Sequence, residues 1–149
     1  EQHIDFDLDL AVSQSKDNAV YYIQYAHARV NRMVDVKAPE KGIPFDRSKA
    51  ADYDATLLTL DAETEILAKL AAYPEIVLRA ANSYEPHQVG NYLKELAALF
   101  HGWYNLDNTR IIDEQNIALS QARLLLSINV QQVLRNGLEL LGVSAPEAM

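Results

Sequence analysis

The sequence contains no cysteine and only five glycines and five prolines in 149 residues. Without cysteine it has no disulfide and no thiolate metal site. The glycines and prolines fall between periodic apolar stretches, which favours long helices over many short strands. No run of about 18 apolar residues occurs, so no segment reads as a membrane span. Where a signal peptide would carry basic residues, Glu1 to Leu10 carry acidic ones. A soluble, cytoplasmic protein is therefore the expectation. Basic residues are also scarce, 13 Lys and Arg against 21 Asp and Glu, for a net charge of −8. That balance argues against a non-specific binder of DNA or RNA, which needs a broad basic surface to release counterions.

Enzyme signatures are missing as well. There is no glycine-rich phosphate loop after a strand and no Gly-x-Ser-x-Gly elbow. His3, His27, His87 and His101 are scattered, with no pair at i, i+4, so neither a zinc site nor a catalytic residue is assigned. Asp5, Asp7 and Asp9 alternate along a strand-like stretch, Ile4 to Leu10, but the glycine and closing glutamate of a calcium loop are absent. His27 has no nucleophile near it in sequence. It reads as a polar core or helix-packing residue, and core packing is also favoured for His101. Most carboxylates read as solvated charge on helix surfaces.

What is present is apolar content at 49%, enough for one packed core at this length. The spacing predicts an all-α fold, a helical bundle of about five helices. The first runs from about Asn18 to Val36, started by Asp17-Asn18 and stopped by a loop with Pro39, Gly42 and Pro44. Residues 49 to 58 read as a short irregular or helical piece. Asp61 is expected to cap the second helix, with Glu63 and Glu65 in its first turn and Ile66, Leu67, Leu70 and Ala71 as its apolar stripe. Pro74 opens the third, and Glu85-Pro86 opens the fourth, which ends near Tyr104-Asn105. The fifth runs from about Asn116 to Leu141. Its apolar residues encircle much of it, which predicts a central position, and Gly142 suits a left-handed cap.

The densest chemistry lies in the first helix, over Tyr21-Tyr22-Ile23-Gln24-Tyr25-Ala26-His27-Ala28-Arg29. Tyr22, Tyr25 and Arg29 fall at i, i+3 and i+7 and share a face. Two phenol rings and a guanidinium can stack on planar groups and bind phosphate. Aromatic residues at helical spacing equally mark a buried face with hydroxyls at its rim, and spacing alone leaves both readings open. Tyr21, Ile23, Ala26 and Ala28 are then left for packing. Charge is uneven here. Residues 29–49 hold Arg29, Arg32, Lys37, Lys41, Arg47 and Lys49 against Asp35, Glu40 and Asp46, a local excess of +3. Acidic surroundings would confine a polyanion to that stretch.

Several blocks, taken together and in order, resemble one family. These are Ile4 to Ala11, Asn18 to Arg29, Ala72-Tyr73-Pro74-Glu75, Tyr92-Leu93 to Tyr104-Asn105, Ala122-Arg123-Leu124, and Val133-Leu134-Arg135-Asn136-Gly137-Leu138 through Leu141 to Glu147. They look like the C-terminal part of arginyl-tRNA synthetases, with residues 1–16 as the tail end of the catalytic-domain junction. Residues 17–149 resemble the helical anticodon-binding domain called DALR. The resemblance implies one piece of a class I enzyme that joins arginine to its tRNA with ATP and magnesium. The family's HIGH signature and KMSKS-like loop are absent, so this piece is expected to be inactive alone and to carry no cofactor. Its implied partners are arginine tRNA and the catalytic domain. Matched residue by residue, Tyr22, Tyr25 and Arg29 take the place of the helix face that touches the anticodon loop. Tyr104 matches a second aromatic contact, and Met149 matches a terminal methionine beside the loop. Ala19 replaces the usual proline, and Ala148 stands where arginine is usual. Residues 105–110 depart from the family's cysteine-containing connection. The alternatives are a helical protein-interaction module that kept the fold without tRNA binding, and the anticodon domain of a related class I enzyme.

Overall fold

A computed structural model describes residues 18–106 and 110–149. The expected junction at 1–16, the run from Ile4 to Leu10, Asp17 and His3 lie outside the described residues, as do positions 107–109. Five helices of eleven residues or more build the described fold, and no strand occurs among the described residues.

Helix α1, Ala19–Arg32, begins as expected. The Asn18 side-chain oxygen accepts from the Val20 and Tyr21 amides at 3.0 and 3.2 Å, satisfying N–H groups with no partner in the first turn. Its end differs from expectation. The helix widens into a π turn, Met33–Lys37, then tightens into a last turn, Ala38–Glu40. Pro39 stands in that short piece, directly after the π turn, and the helical backbone continues through it. Gly42 makes the stop instead. At φ +70° it lets its own amide reach the Pro39 carbonyl and the Ile43 amide reach that of Ala38.

Two 3₁₀ turns follow, Arg47–Asp52 and Ala55–Leu57, capped by Asp46 and Asp54. In α2, Asp61–Ala71, the cap is Leu60 rather than Asp61, and the Leu60 amide donates to Glu63 Oε1 at 3.1 Å. Ile66 is buried, but Leu67 is 40% exposed, so the apolar stripe is narrower than its sequence reads. Helix α3, Tyr73–Ser83, ends on Tyr84 at φ 55°, a non-glycine left-handed cap. Helix α4, His87–Tyr104, follows Pro86 as expected. Helix α5, Ile117–Leu140, is capped by Asn116 and closed by Gly142 at φ 71°. The Val143 amide there reaches the Leu138 carbonyl at 2.9 Å.

Helix α5 packs against α1 and α4, and α4 also receives α2 and α3. Ile23, Met33, Leu96, Phe100, Leu124 and Leu134 meet in the core with essentially no exposure. Each such side chain contributes roughly 1.5–3 kcal/mol by leaving water. One carboxylate is an exception to the solvated charge expected of most. Glu63 is completely buried and pairs with Arg123 at 2.7 Å, while Trp103 Nε1 donates to the same carboxylate at 3.2 Å. A desolvated carboxylate requires such partners, and here α4 and α5 supply them. No helix among the described residues is long and apolar enough to cross a membrane.

Candidate nucleic-acid interface

Arg29 is the centre of the site. It sits in the last turn of α1, on the edge that faces the end of α4. Its guanidinium carbon lies 4.0 Å from the Tyr104 ring centroid and 4.9 Å from that of Tyr25. One terminal nitrogen donates to His101 Nδ1 at 3.0 Å, and the other approaches the Tyr25 hydroxyl at 3.5 Å. A guanidinium held between two ring faces has little freedom left to lose when it meets a ligand.

Because Arg29 donates to Nδ1, His101 must be a neutral imidazole with its proton on Nε2, directed to the Tyr22 carbonyl at 3.4 Å. Burial lowers its pKa to about 4, assisted by the Arg29 charge against the opposing carbonyl contact. The His101 ring also lies 4.7 Å from Tyr22 and 5.6 Å from Tyr25, so it is the platform on which the tyrosines rest. Sequence reading assigned His101 to packing, and it does pack, but it also orients Arg29.

The three tyrosines of α1 differ in their surroundings. Tyr25 is 38% exposed. Tyr22 and Tyr21 are both partly exposed: Tyr22 packs against the core, and Tyr21, expected to pack, has its ring 6.2 Å from Tyr25. Spacing explains the difference in their neighbours. Tyr21, Tyr25 and Arg29 follow the i, i+4, i+8 row, while Tyr22 stands at its border with Ile23 and Ala26. The rings open onto two depressions. One, of about 310 Å³, is lined by Tyr21, Tyr22, Tyr25, Arg29, His101 and Asn105. The other, of about 560 Å³, brings Tyr25, Arg29 and Tyr104 together with Arg32, Lys37 and Met149. Four of the five expected residues thus share one cleft, and Tyr22 belongs to its neighbour. Lys37 Nζ donates to the Tyr104 hydroxyl at 2.5 Å and lies 5.2 Å from the same ring.

Met149 reaches the cleft because the C-terminal tail turns back over α1. Gln24 Nε2 donates to the Ser144 carbonyl at 2.9 Å, His27 Nδ1 to that of Pro146 at 2.9 Å, and Asn31 Nδ2 to that of Glu147 at 3.3 Å. Gln24, His27 and Asn31 are spaced i, i+3, i+7, so one row of α1 side chains holds the tail. His27 is completely buried and accepts from Arg135 Nε at 3.2 Å on its other nitrogen. Burial lowers its pKa, and the charges of Arg135 and Arg47 act in the same direction. Sequence reading missed this ladder; its only local trace is three hydrogen-bonding side chains at helical spacing beside the tyrosines. Among the described residues no group of three or more His, Asp or Glu is placed to hold a metal ion.

Comparison with known proteins places the chain in a family. The DALR anticodon binding domain matches residues 23–149. The chain is 76% identical over 149 residues to the arginine–tRNA ligase of Acinetobacter baumannii (strain AYE), covering 100% of this chain and 24% of that protein. It is 54% identical to the arginine–tRNA ligase of Psychrobacter sp. (strain PRwf-1), with 100% and 26% covered. Among solved structures, the arginyl-tRNA synthetase of Thermus thermophilus superposes with a TM-score of 0.74 at 31% identity, covering 100% of this chain and 24% of that one. The chain therefore spans about a quarter of the length of the curated relatives it matches. With the family matched over nearly all of the described residues, and with the same fold found in a solved relative, the chain belongs to the DALR anticodon binding domain family.

Proposed function

We propose that this chain binds the anticodon arm of arginine tRNA, as the C-terminal domain of an arginine–tRNA ligase. The observation that carries the proposal is the Arg29 guanidinium seated over Tyr25 and Tyr104 in a cleft that also holds Met149. Unpaired loop bases are the part of RNA that protein side chains can stack on and read. Tyr25 and Tyr104 offer ring faces, where stacking contributes roughly 1–3 kcal/mol per base. Arg29 offers a charged fork and Met149 an adaptable apolar contact. Tyr22 serves the same loop from the adjoining depression.

Under this reading residues 17–149 form the binding domain and residues 1–16 the end of the junction with the catalytic domain, which is the second partner. Activation of arginine with ATP and magnesium belongs to that domain, since its signature motifs are absent from this sequence. The protein works in the cytoplasm and binds tRNA rather than DNA.

An electrophoretic shift assay with arginine, cysteine and methionine tRNAs tests the proposal. A shift at low salt with arginine tRNA, and weaker shifts with the other two, is expected. A folded chain that shifts none of them overturns the reading in favour of a protein-interaction module. Preference for cysteine or methionine tRNA would assign the domain to a related enzyme.

A further inference from the structure

Beside the tyrosine cleft lies a second, polar one of about 350 Å³, sharing Asn31, Asp35 and Glu147 with it and lined further by Arg47, Gln131, Gln132 and Arg135. Its two arginines are fixed in an unusual way. Arg47 donates through NH1 to Gln131 Oε1 at 2.7 Å and through NH2 to Asn31 Oδ1 at 2.8 Å. Arg135 donates through Nε to His27 Nε2 at 3.2 Å. Gln131 and His27 are both buried, and Gln131 is itself held by the His27 carbonyl at 3.1 Å and Asn31 Oδ1 at 2.6 Å. Both forks are thus oriented from the core side by neutral acceptors.

Arg123 shows the contrast. It closes a buried pair with the Glu63 carboxylate, which neutralises it. An arginine anchored by a neutral amide or imidazole keeps its full charge and has further N–H groups to donate. Arg47 has one carboxylate nearby, Asp35 at 3.9 Å, and that group is 64% exposed and screened by water. Along the continuous groove, Arg29, Arg32, Lys37, Arg47 and Arg135 face Asp35 and Glu147, a local excess of +3 on a chain of net charge −8. Guanidinium forks pre-oriented by neutral acceptors, rather than closed into a buried ion pair, are suited to phosphate oxygens.

The geometry points to Arg47 and Arg135 as a phosphodiester-binding subsite that takes the backbone of the same RNA whose bases enter the Tyr25–Tyr104 cleft. This inference rests on the proposed function. The bases engage rings on one side of Asn31, and the backbone passes over the two arginines on the other. Neutral His27 holds both the tail and Arg135, so it couples the Met149 side of the cleft to the phosphate side.

Salt dependence of tRNA binding is the test, because each phosphate contact adds a counterion-release increment to the slope of log K against log salt. Arg47→Gln and Arg135→Gln should each lower that slope by about 0.7–0.9. Arg135→Lys should restore it, since the charge returns. Tyr25→Ala should weaken binding with the slope unchanged, and Arg79→Gln, on α3 outside both clefts, should leave both unchanged. Thermal unfolding of each variant confirms that the chain remains folded. Unchanged slopes in Arg47→Gln and Arg135→Gln, or a failure of Arg135→Lys to restore the slope, overturns the subsite while leaving tRNA binding intact. No binding by the unaltered chain at low salt overturns the proposed function and the subsite with it.

Discussion

At the scale of single residues, Arg29 and His101 carry the argument. Arg29 is held by rings and an imidazole rather than by the core, and Tyr25 stands 38% exposed. Tyr25→Ala and Arg29→Ala should therefore weaken tRNA binding while shifting stability by no more than about 1 kcal/mol. Titration with arginine tRNA, alongside thermal unfolding, checks both halves; unfolding of Tyr25→Ala would make that ring part of the core. His101 makes the second residue-scale prediction. Its folded pKa is about 4 against an ordinary 6.5, so below pH 6.5 the unfolded chain binds the extra proton first. Stability should be full above about pH 7 and fall as the pH drops from 6.5 towards 4, by about 3 kcal/mol at most. The lowered pKa of His27 acts in the same direction. Urea unfolding from pH 4 to 8 measures the slope, and His101→Gln should flatten it.

At the scale of elements, periodicity was a good guide to where helices lie and a poor guide to what their polar residues do. Asn18, Pro74, Pro86, Asn116 and Gly142 act at the helix ends where their chemistry predicts, because caps are satisfied by neighbours in sequence. Glu63 was legible only as a first-turn carboxylate. Its burial follows from the crossing of α2 by α4 and α5, which brings Trp103 and Arg123 to it. Glu63→Ala would leave Arg123 unpaired in the core and should destabilise the fold by about 3–5 kcal/mol, measured by denaturant unfolding. Gly137 marks another crossing. A Cβ there would stand 2.5 Å from Leu93 Cδ2, and Leu93 is completely buried. Gly137→Ala should therefore cost about 1–3 kcal/mol despite its better helix propensity, and with Leu93→Ala in the same chain the loss should be smaller than the sum of the two single losses, since the clash is gone.

At the scale of the whole molecule, the site exists because residues 143–149 lie on α1. The tail is tied by three side chains of α1 to carbonyls more than one hundred residues away in sequence. Asn31→Ala removes one tie and leaves Gln131 and Arg47 without a shared acceptor. It should loosen residues 143–149, seen as faster proteolysis of the tail, and weaken tRNA binding with little change in helix content by circular dichroism. Equal tail protection in Asn31→Ala and the unaltered chain would show the remaining contacts to suffice.

The sequence by itself determined the helices, most of their ends, the central place of α5, and the aromatic and cationic stripe from Tyr21 to Arg29. Those properties depend on residues within a turn or two of one another, where a 3.6-residue period and capping chemistry are decisive. Only the tertiary structure decided which side of that stripe is open. Tyr21 and Tyr22 differ by one position and both are partly exposed, but α4 brings His101 against the Tyr22 ring, which packs on the core, while Tyr21 lies beside Tyr25. It also decided that Tyr104, His101 and Met149 meet Arg29, and that Gln24, His27 and Asn31 face the tail rather than water. A hydrogen-bonding side chain looks the same in sequence whether its partner is solvent or a carbonyl brought to it by the fold, and only that partner distinguishes a surface from a site.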